Sequence, residues 1–228
     1  MENKIKINDN VLEIVKHIGK GKGGNSYLAI FENRYVVYKE MHYEPNDTYT
    51  FESNKLQSEL RDYKILKSAG ILMPELIYYD DEKQFLIKEY IDGPTIAQVV
   101  GEGKLKDDYV KQMFDMCERL YARNLNIDYF PPNFVVEEDR LYYIDYECNN
   151  YMEEWDSENW GIYFWANHAG MAKFLETGDH KYLSKNAKPH KQGLEETVER
   201  FMRLKHRKPI NESKIAEFEA SKTPQTGK

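Results

Sequence analysis

The chain has 228 residues, room for one large domain or two small ones at roughly 100–200 residues per domain. Lys and Arg number 32 against 39 Asp and Glu, a net charge of −7, which argues against a general nucleic-acid binder because that role needs a basic footprint. Apolar residues make up 41% and aromatics 14%, enough to bury a core and to exclude global disorder. No apolar run approaches the ~18 residues of a membrane span, and MENKIKINDN lacks the apolar centre of a signal peptide. The expectation is a soluble, cytoplasmic protein with no membrane partner. Cys117 and Cys148 give neither a disulfide framework nor a metal spacing and read as small buried residues.

In chain order, strands come first and helices after. Val11–Ile18 has strand character and runs into the glycine cluster Gly19, Gly21, Gly23 and Gly24. SYLAIF and RYVVYKEM read as two strands joined by a tight turn at Glu32-Asn33. Phe51–Lys67 keeps apolar residues at helical spacing, with Gly70 as a stop and Pro74 beyond it. ELIYYD and QFLIKEYI are two further strands around the acidic turn Asp80-Asp81-Glu82. After Asp92-Gly93-Pro94 the spacing predicts a helix over Asp107–Arg123, then a loop, NIDYFPPN, that Pro131 and Pro132 keep from being helical. FVV and LYYI are short strands around Glu137-Glu138-Asp139, and the chain turns helical again from Trp155.

From Ser184 to Lys228 there are 11 basic and 6 acidic residues, so this end is net positive while the rest is strongly acidic. SKNAKPHKQG is a polar break. LEETVERFMRLK then puts Leu194, Val198, Phe201 and Met202 on one helical face. Pro209–Lys228 is expected to be frayed, and the basic run Leu204–Lys208 reads as a solvated helix end. The whole is a β-rich part joined to an α-rich part by a short hinge, and ligands often bind in such clefts.

Four groups of residues carry chemistry. Gly19–Gly24 contains G-x-G-x-x-G, whose backbone could approach phosphate oxygens; a strand follows it rather than a helix, which argues against a dinucleotide-binding turn. Lys39 lies inside an apolar strand, where an inward-facing ammonium must find an anion. Glu59 in the next helix is the preferred partner and Glu52 the rival. Asp128 and Asn133 share the D-x-x-P-x-N loop; the carboxylate could take a hydroxyl proton and the amide oxygen could meet a hard cation. Asp145, just past a strand and twelve residues after Asn133, could complete a magnesium site.

In this order the four groups resemble the protein-kinase-like superfamily over roughly Val11 to Leu175. The resemblance implies a two-lobed α+β fold. A five-stranded antiparallel N-terminal lobe with one helix would occupy residues 1–91, a short, mostly helical catalytic lobe 92–208, and a flexible tail 209–228. It implies ATP and Mg2+ as cofactors. Gly19, Gly21 and Gly24 would cover the phosphates, and Lys39, held by Glu59, would bind the α and β phosphates. Asp128 would orient the acceptor hydroxyl, Asn133 and Asp145 would hold magnesium, and the backbone near Glu89-Tyr90-Ile91 would take the adenine.

The departures point to an atypical member. Asn126-Ile127 stands where protein kinases have His-Arg, and Phe130 stands where they place a lysine. Asp145-Tyr146-Glu147 is similar to the Asp-aromatic-acidic version of the small-molecule kinases, and about ten residues separate it from the next helix, too few for a long activation loop. The chain is thus similar to the atypical serine/threonine kinase and the aminoglycoside/choline phosphotransferase branches. A protein or small neutral hydroxyl acceptor is favoured over a cationic aminoglycoside, and a nucleotide-binding pseudokinase is the other reading. The aromatic run Trp155, Trp160, Tyr163, Phe164, Trp165 reads as core, and His168, His180 and His190 have no metal spacing.

Overall fold

A computed structural model describes residues 3–21, 23–42 and 54–205. Six strands form one curled antiparallel sheet: β1 (Lys4–Ile7), β2 (Asn10–Lys20), β3 (Gly24–Phe31), β4 (Arg34–Met41), β5 (Leu76–Asp80) and β6 (Phe85–Glu89), in the order β1-β2-β3-β4-β6-β5. Five strands were expected. The sixth, β1, is a four-residue KIKI segment that pairs with β2 through a turn in which Asn8 takes φ 53°. Such a short Lys/Ile alternation gives little signal without its partner strand. The turn at Glu32-Asn33 has both residues at positive φ, 49° and 60°, as a tight hairpin of this twist needs.

The curl of the sheet encloses its own small core of Ile7, Leu12, Tyr27, Ala29, Phe31, Val36, Tyr38, Phe85 and Ile87. Alternation then sends Met41 and Leu86 to the other face. There they join the main core with α1 (Lys55–Ser68), and Lys39 shares that face. The helix expected from Phe51 starts later because Asn54 is extended and its side chain accepts from the Gln57 N–H at 3.1 Å, capping the helix. Residues 51–53, with the rival Glu52, lie outside the described residues. Gly70, at φ 72°, ends the helix as its position predicts.

The rest of the chain is mainly helical: α2 (Ile96–Gly101), α3 (Asp107–Tyr121), α4 (Ile162–Ala166), α5 (His168–Thr177) and α6 (Glu195–Lys205). α2 was not anticipated; a Thr95–Gln98 capping box starts it. α3 stops two residues short of the expected Arg123, in a turn closed by Asn124 at φ 57°. Short strand pairs interrupt the helices. β7 (Leu125–Asn126) pairs with β10 (Asn149–Asn150), β8 (Phe134–Glu137) with β9 (Arg140–Tyr143), and β11 (Ser184–Lys185) with β12 (Lys188–Pro189). A π-helical turn, Ser157–Gly161, leads into α4. Phe164 and Trp165 are buried, as read, whereas Trp155 is exposed. Cys117 and Cys148 are both free and buried.

The segment read as a hinge is strapped to the β8–β9 hairpin. The Val136 N–H donates to Pro94 O at 3.0 Å and the Asp92 N–H to Glu137 Oε1 at 2.8 Å. Ile91 packs with Val135 and Tyr142. Gly93 is required by close approach, since a Cβ there would stand 1.8 Å from Val136 O. The expected frayed tail, Pro209–Lys228, and most of the basic run Leu204–Lys208 lie outside the described residues.

Candidate active site around Lys39

Three of the expected residues meet directly. Lys39 is buried on β4, opposite Leu86 of β6, and its Nζ reaches Glu59 Oε1 of α1 at 2.5 Å and Asp145 Oδ1 at 3.4 Å. Glu59 is thus the partner that the strand lysine needed. The Lys39 and Glu59 side chains are only 11% and 13% exposed. Burial works against the Lys39 ammonium, but Glu59 and Asp145 outweigh it and hold the pKa above the ordinary lysine value. Burial also works against the Asp145 carboxylate, yet the charges of Lys39 and Lys88 keep it below the usual aspartate range. Burial, with the charge of Asp145 behind it, lifts the Glu59 carboxyl above its ordinary value although Lys39 opposes.

Asp128 and Asn133 sit on one rigid loop. Asp128 Oδ1 accepts from the Phe130 N–H at 2.9 Å, and Asn133 Nδ2 donates to Asp128 O at 3.3 Å. Pro131–Asn133 forms a single 3-10 turn, with the Asn133 N–H on Phe130 O at 2.9 Å. The hairpin register then carries the loop to Asp145: Phe134 pairs with Tyr143, and the Ile144 N–H donates to Asn133 O at 2.9 Å. Tyr143 is fully buried, and burial pushes its pKa well up, with the charges of Asp145 and Asp128 adding to the rise. The loop is braced from behind. Trp165 Nε1 donates to Tyr129 O at 2.9 Å, and Gly161 lies so close to Tyr129 that a Cβ would stand 2.4 Å from its Cβ.

The glycine cluster forms the β2–β3 turn, with the Gly21 N–H on Gly24 O at 2.9 Å; Lys22 lies outside the described residues. Its four described glycines do not have equal roles. A Cβ on Gly24 would stand 2.4 Å from Glu40 O, and one on Gly23 would stand 3.3 Å from Glu59 Oε1. A Cβ on Gly24 would also stand 3.4 Å from Lys39 Cγ, so Gly23, outside the expected set Gly19, Gly21 and Gly24, joins Gly24 in lining the Lys39–Glu59 pair. At Gly19 a Cβ would have no neighbour within 4 Å, and at Gly21 only Gly24 O, at 3.9 Å. Glu89 ends β6 and is tied to Glu75, its N–H on Glu75 O at 2.9 Å and its Oε2 accepting from the Glu75 N–H at 3.1 Å. The Ile91 backbone makes no hydrogen bond among the described residues.

Sequence reasoning missed Lys88. Two residues after Leu86 on β6, it shares the face of Lys39 and is 6% exposed. Its Nζ donates to Ile144 O at 2.5 Å and lies 4.7 Å from the centre of the Tyr146 ring. Burial first, then the charge of Lys39, pulls its pKa down to about 8 against Asp145 and Glu59. The signal was present: FLIKE, like VVYKE, puts a lysine inside an apolar strand. The departures from the kinase pattern have structural uses. Asn126 Nδ2 ties down Trp155 O at 3.1 Å and Met152 O at 3.3 Å. The Phe130 ring packs against Phe164, Phe174 and His180 at centroid distances of 5.3–5.7 Å.

Two open cavities, of about 390 and 350 Å³, lie along α3 and contain none of these residues. Among the described residues no helix is long and apolar enough to cross a membrane, and no three His, Cys, Asp or Glu side chains cluster as a self-contained metal site. No protein-family model matches the chain, and no curated protein matches it.

Proposed function

We propose that the chain is a two-lobed, protein-kinase-like phosphotransferase that moves the γ-phosphoryl group of ATP to a hydroxyl acceptor with magnesium. The observation that carries this reading is the Lys39–Glu59–Asp145 contact, in which residues from a strand, a helix and a post-hairpin segment converge on one buried ammonium. A structural ion pair needs one partner. A lysine between two carboxylates, beside a glycine turn with open space at Gly19 and Gly21, suits a phosphate ligand.

Lys39, oriented by Glu59, would bind the α and β phosphates, and the turn Gly19–Gly24 would cover them. The Ile91 backbone, without a hydrogen bond among the described residues, supports a base-binding role after Glu89. The oxygen donors fit magnesium. Asp145 is held ionised, and Asn133, whose Nδ2 is engaged by Asp128 O, keeps Oδ1 without a donor among the described residues. One or two protein oxygens plus phosphates is the usual magnesium environment. Magnesium bound by Asn133 and Asp145 would supply charge neutralisation on the transferring group. Asp128 would accept the hydrogen bond of the acceptor hydroxyl and orient its oxygen in line, taking its proton as the phosphoryl group leaves.

The acceptor favoured is a protein serine or threonine, in the manner of an atypical protein kinase, with a small hydroxyl compound of the aminoglycoside/choline class as the other acceptor. One observation favours the pseudokinase reading, in which nucleotide binds without turnover: no lysine stands two residues after Asp128, and Phe130 there is packed against other rings. Thermal unfolding with ATP or GTP, with and without magnesium, tests binding; ligand at 100 times its Kd adds ~2.7 kcal/mol. A magnesium-dependent rise supports the site, and no rise with either nucleotide overturns it. Phosphate release or transfer that is lost in Asp128→Asn with nucleotide affinity retained supports turnover. Nucleotide binding with no turnover in the wild type selects the pseudokinase.

A further inference from the structure

Lys88 is a buried cation beside the site that the proposed chemistry does not use. It lies on β6, between β4 and β5, where it pairs with Val37 on one side and Leu76 on the other. An apolar residue at this position would continue the pattern set by Leu86, and replacing a buried ion by a well-packed apolar side chain is often neutral or stabilising. Stability alone therefore does not account for a lysine here. What distinguishes it is what it holds. Its Nζ donates to Ile144 O and faces the Tyr146 ring, the residues immediately before and after Asp145. Among the described residues Ile144 O is its only hydrogen-bond acceptor.

We propose that Lys88 is a positioning residue: it clamps residues 144–146 against β6 so that Asp145 is presented to the metal and phosphates. The clamp works with two other restraints on the same segment, the Ile144 N–H on Asn133 O at 2.9 Å and the Tyr146 N–H on Asp145 Oδ1 at 3.0 Å. Only the ligand in this statement rests on the phosphotransferase reading; the clamp is a property of the protein by itself.

Charge and position predict opposite signs, which makes the role testable. If Lys88 acted only through its charge, Lys88→Met would remove a repulsive neighbour and tighten a cation at Asp145. If it acts by position, the same change weakens the cation. The full chain, loaded with nucleotide, is titrated with magnesium and followed by thermal unfolding. Amide exchange at Tyr146 is measured without ligand, with the Tyr143 amide, bonded to Leu72 O, as control. Lys88→Met is expected to raise the half-saturating magnesium by about 10–100-fold, as loss of an outer partner of a metal ligand does, while metal-free nucleotide binding changes little. Lys88→Arg keeps charge and donor and is expected to restore most of the loss. Tyr146 exchange accelerates in the methionine variant and the control does not move.

Unchanged or lower half-saturating magnesium in Lys88→Met overturns the positioning role. If the wild type binds no magnesium nucleotide, the phosphotransferase reading falls and exchange alone decides the clamp. Acceleration confined to Tyr146 then upholds it, and unchanged exchange overturns it.

Discussion

Replacing Lys39 by methionine removes the cation that Glu59 and Asp145 share. Breaking a buried pair by deleting one member costs roughly 3–5 kcal/mol, because the other charge is left without compensation. Here Asp145 keeps Lys88 nearby, so the stranded group is chiefly Glu59, whose Oε2 already has no hydrogen-bond partner. The expected loss for Lys39→Met is therefore about 3 kcal/mol, near the lower end of that range. Glu59→Gln is milder, about 1–3 kcal/mol, since Lys39 retains Asp145 at 3.4 Å. In the double variant nothing is stranded, and its loss should fall short of the summed single losses by about 1–3 kcal/mol. Urea unfolding at constant m-value measures all three. The pH dependence adds a check of sign. In Lys39→Met the buried Glu59 has its folded pKa raised above the unfolded one. The penalty is therefore felt as pH rises through the folded value and is relieved as pH falls. The deficit of this variant should shrink on acidification. A Lys39→Met loss below ~0.5 kcal/mol, or strict additivity of the two changes, would refute the reasoning.

Three further outcomes follow from other contacts. Gly93→Ala should lose more than about 3 kcal/mol, or fail to fold, because the new Cβ meets the Val136 carbonyl at 1.8 Å within a segment bonded on both sides; a wild-type urea midpoint would show that the strap is loose. Burial would raise the Glu158 carboxyl, but Lys205 of α6, the Ser157 hydroxyl at 2.6 Å and the Tyr121 hydroxyl at 2.8 Å hold it below the ordinary glutamate value. Its contribution is complete above that ordinary value and is lost as pH falls through the depressed one. A plot of Tm against pH should accordingly be flatter on the acid side for Glu158→Gln, and identical acid slopes would contradict this. Asp145→Asn should abolish the magnesium dependence of nucleotide stabilisation while leaving a metal-independent part; retained dependence would remove Asp145 from the metal role.

Local pattern was enough for most elements. Alternation marked β2 to β6, and helical spacing marked α1, α3 and α6. Turn chemistry marked Glu32-Asn33 and Gly70, where both turn residues or the stop itself take positive φ. It fell short where the signal was short: β1 has four residues, and α2 has six and is fixed mainly by its cap. The inward phase of Lys39 was legible because it interrupts an apolar strand, and a buried ammonium must have an anion. The choice of Glu59 as that anion was an inference from helix position, and only the packing of α1 across the sheet made it a 2.5 Å contact. The sequence by itself determined the longer strands and helices and singled out the residue types that would suit a phosphate and a hard cation. These depend on neighbours within a few positions. Tertiary structure alone decided that Asp145 reaches Lys39 across 106 residues, that Gly23 joins Gly24 against the Lys39–Glu59 pair, and that Lys88 grips the segment around Asp145. Contacts at such separations are set by how the hairpin β8–β9 and helix α1 pack on the sheet, and no local periodicity encodes that.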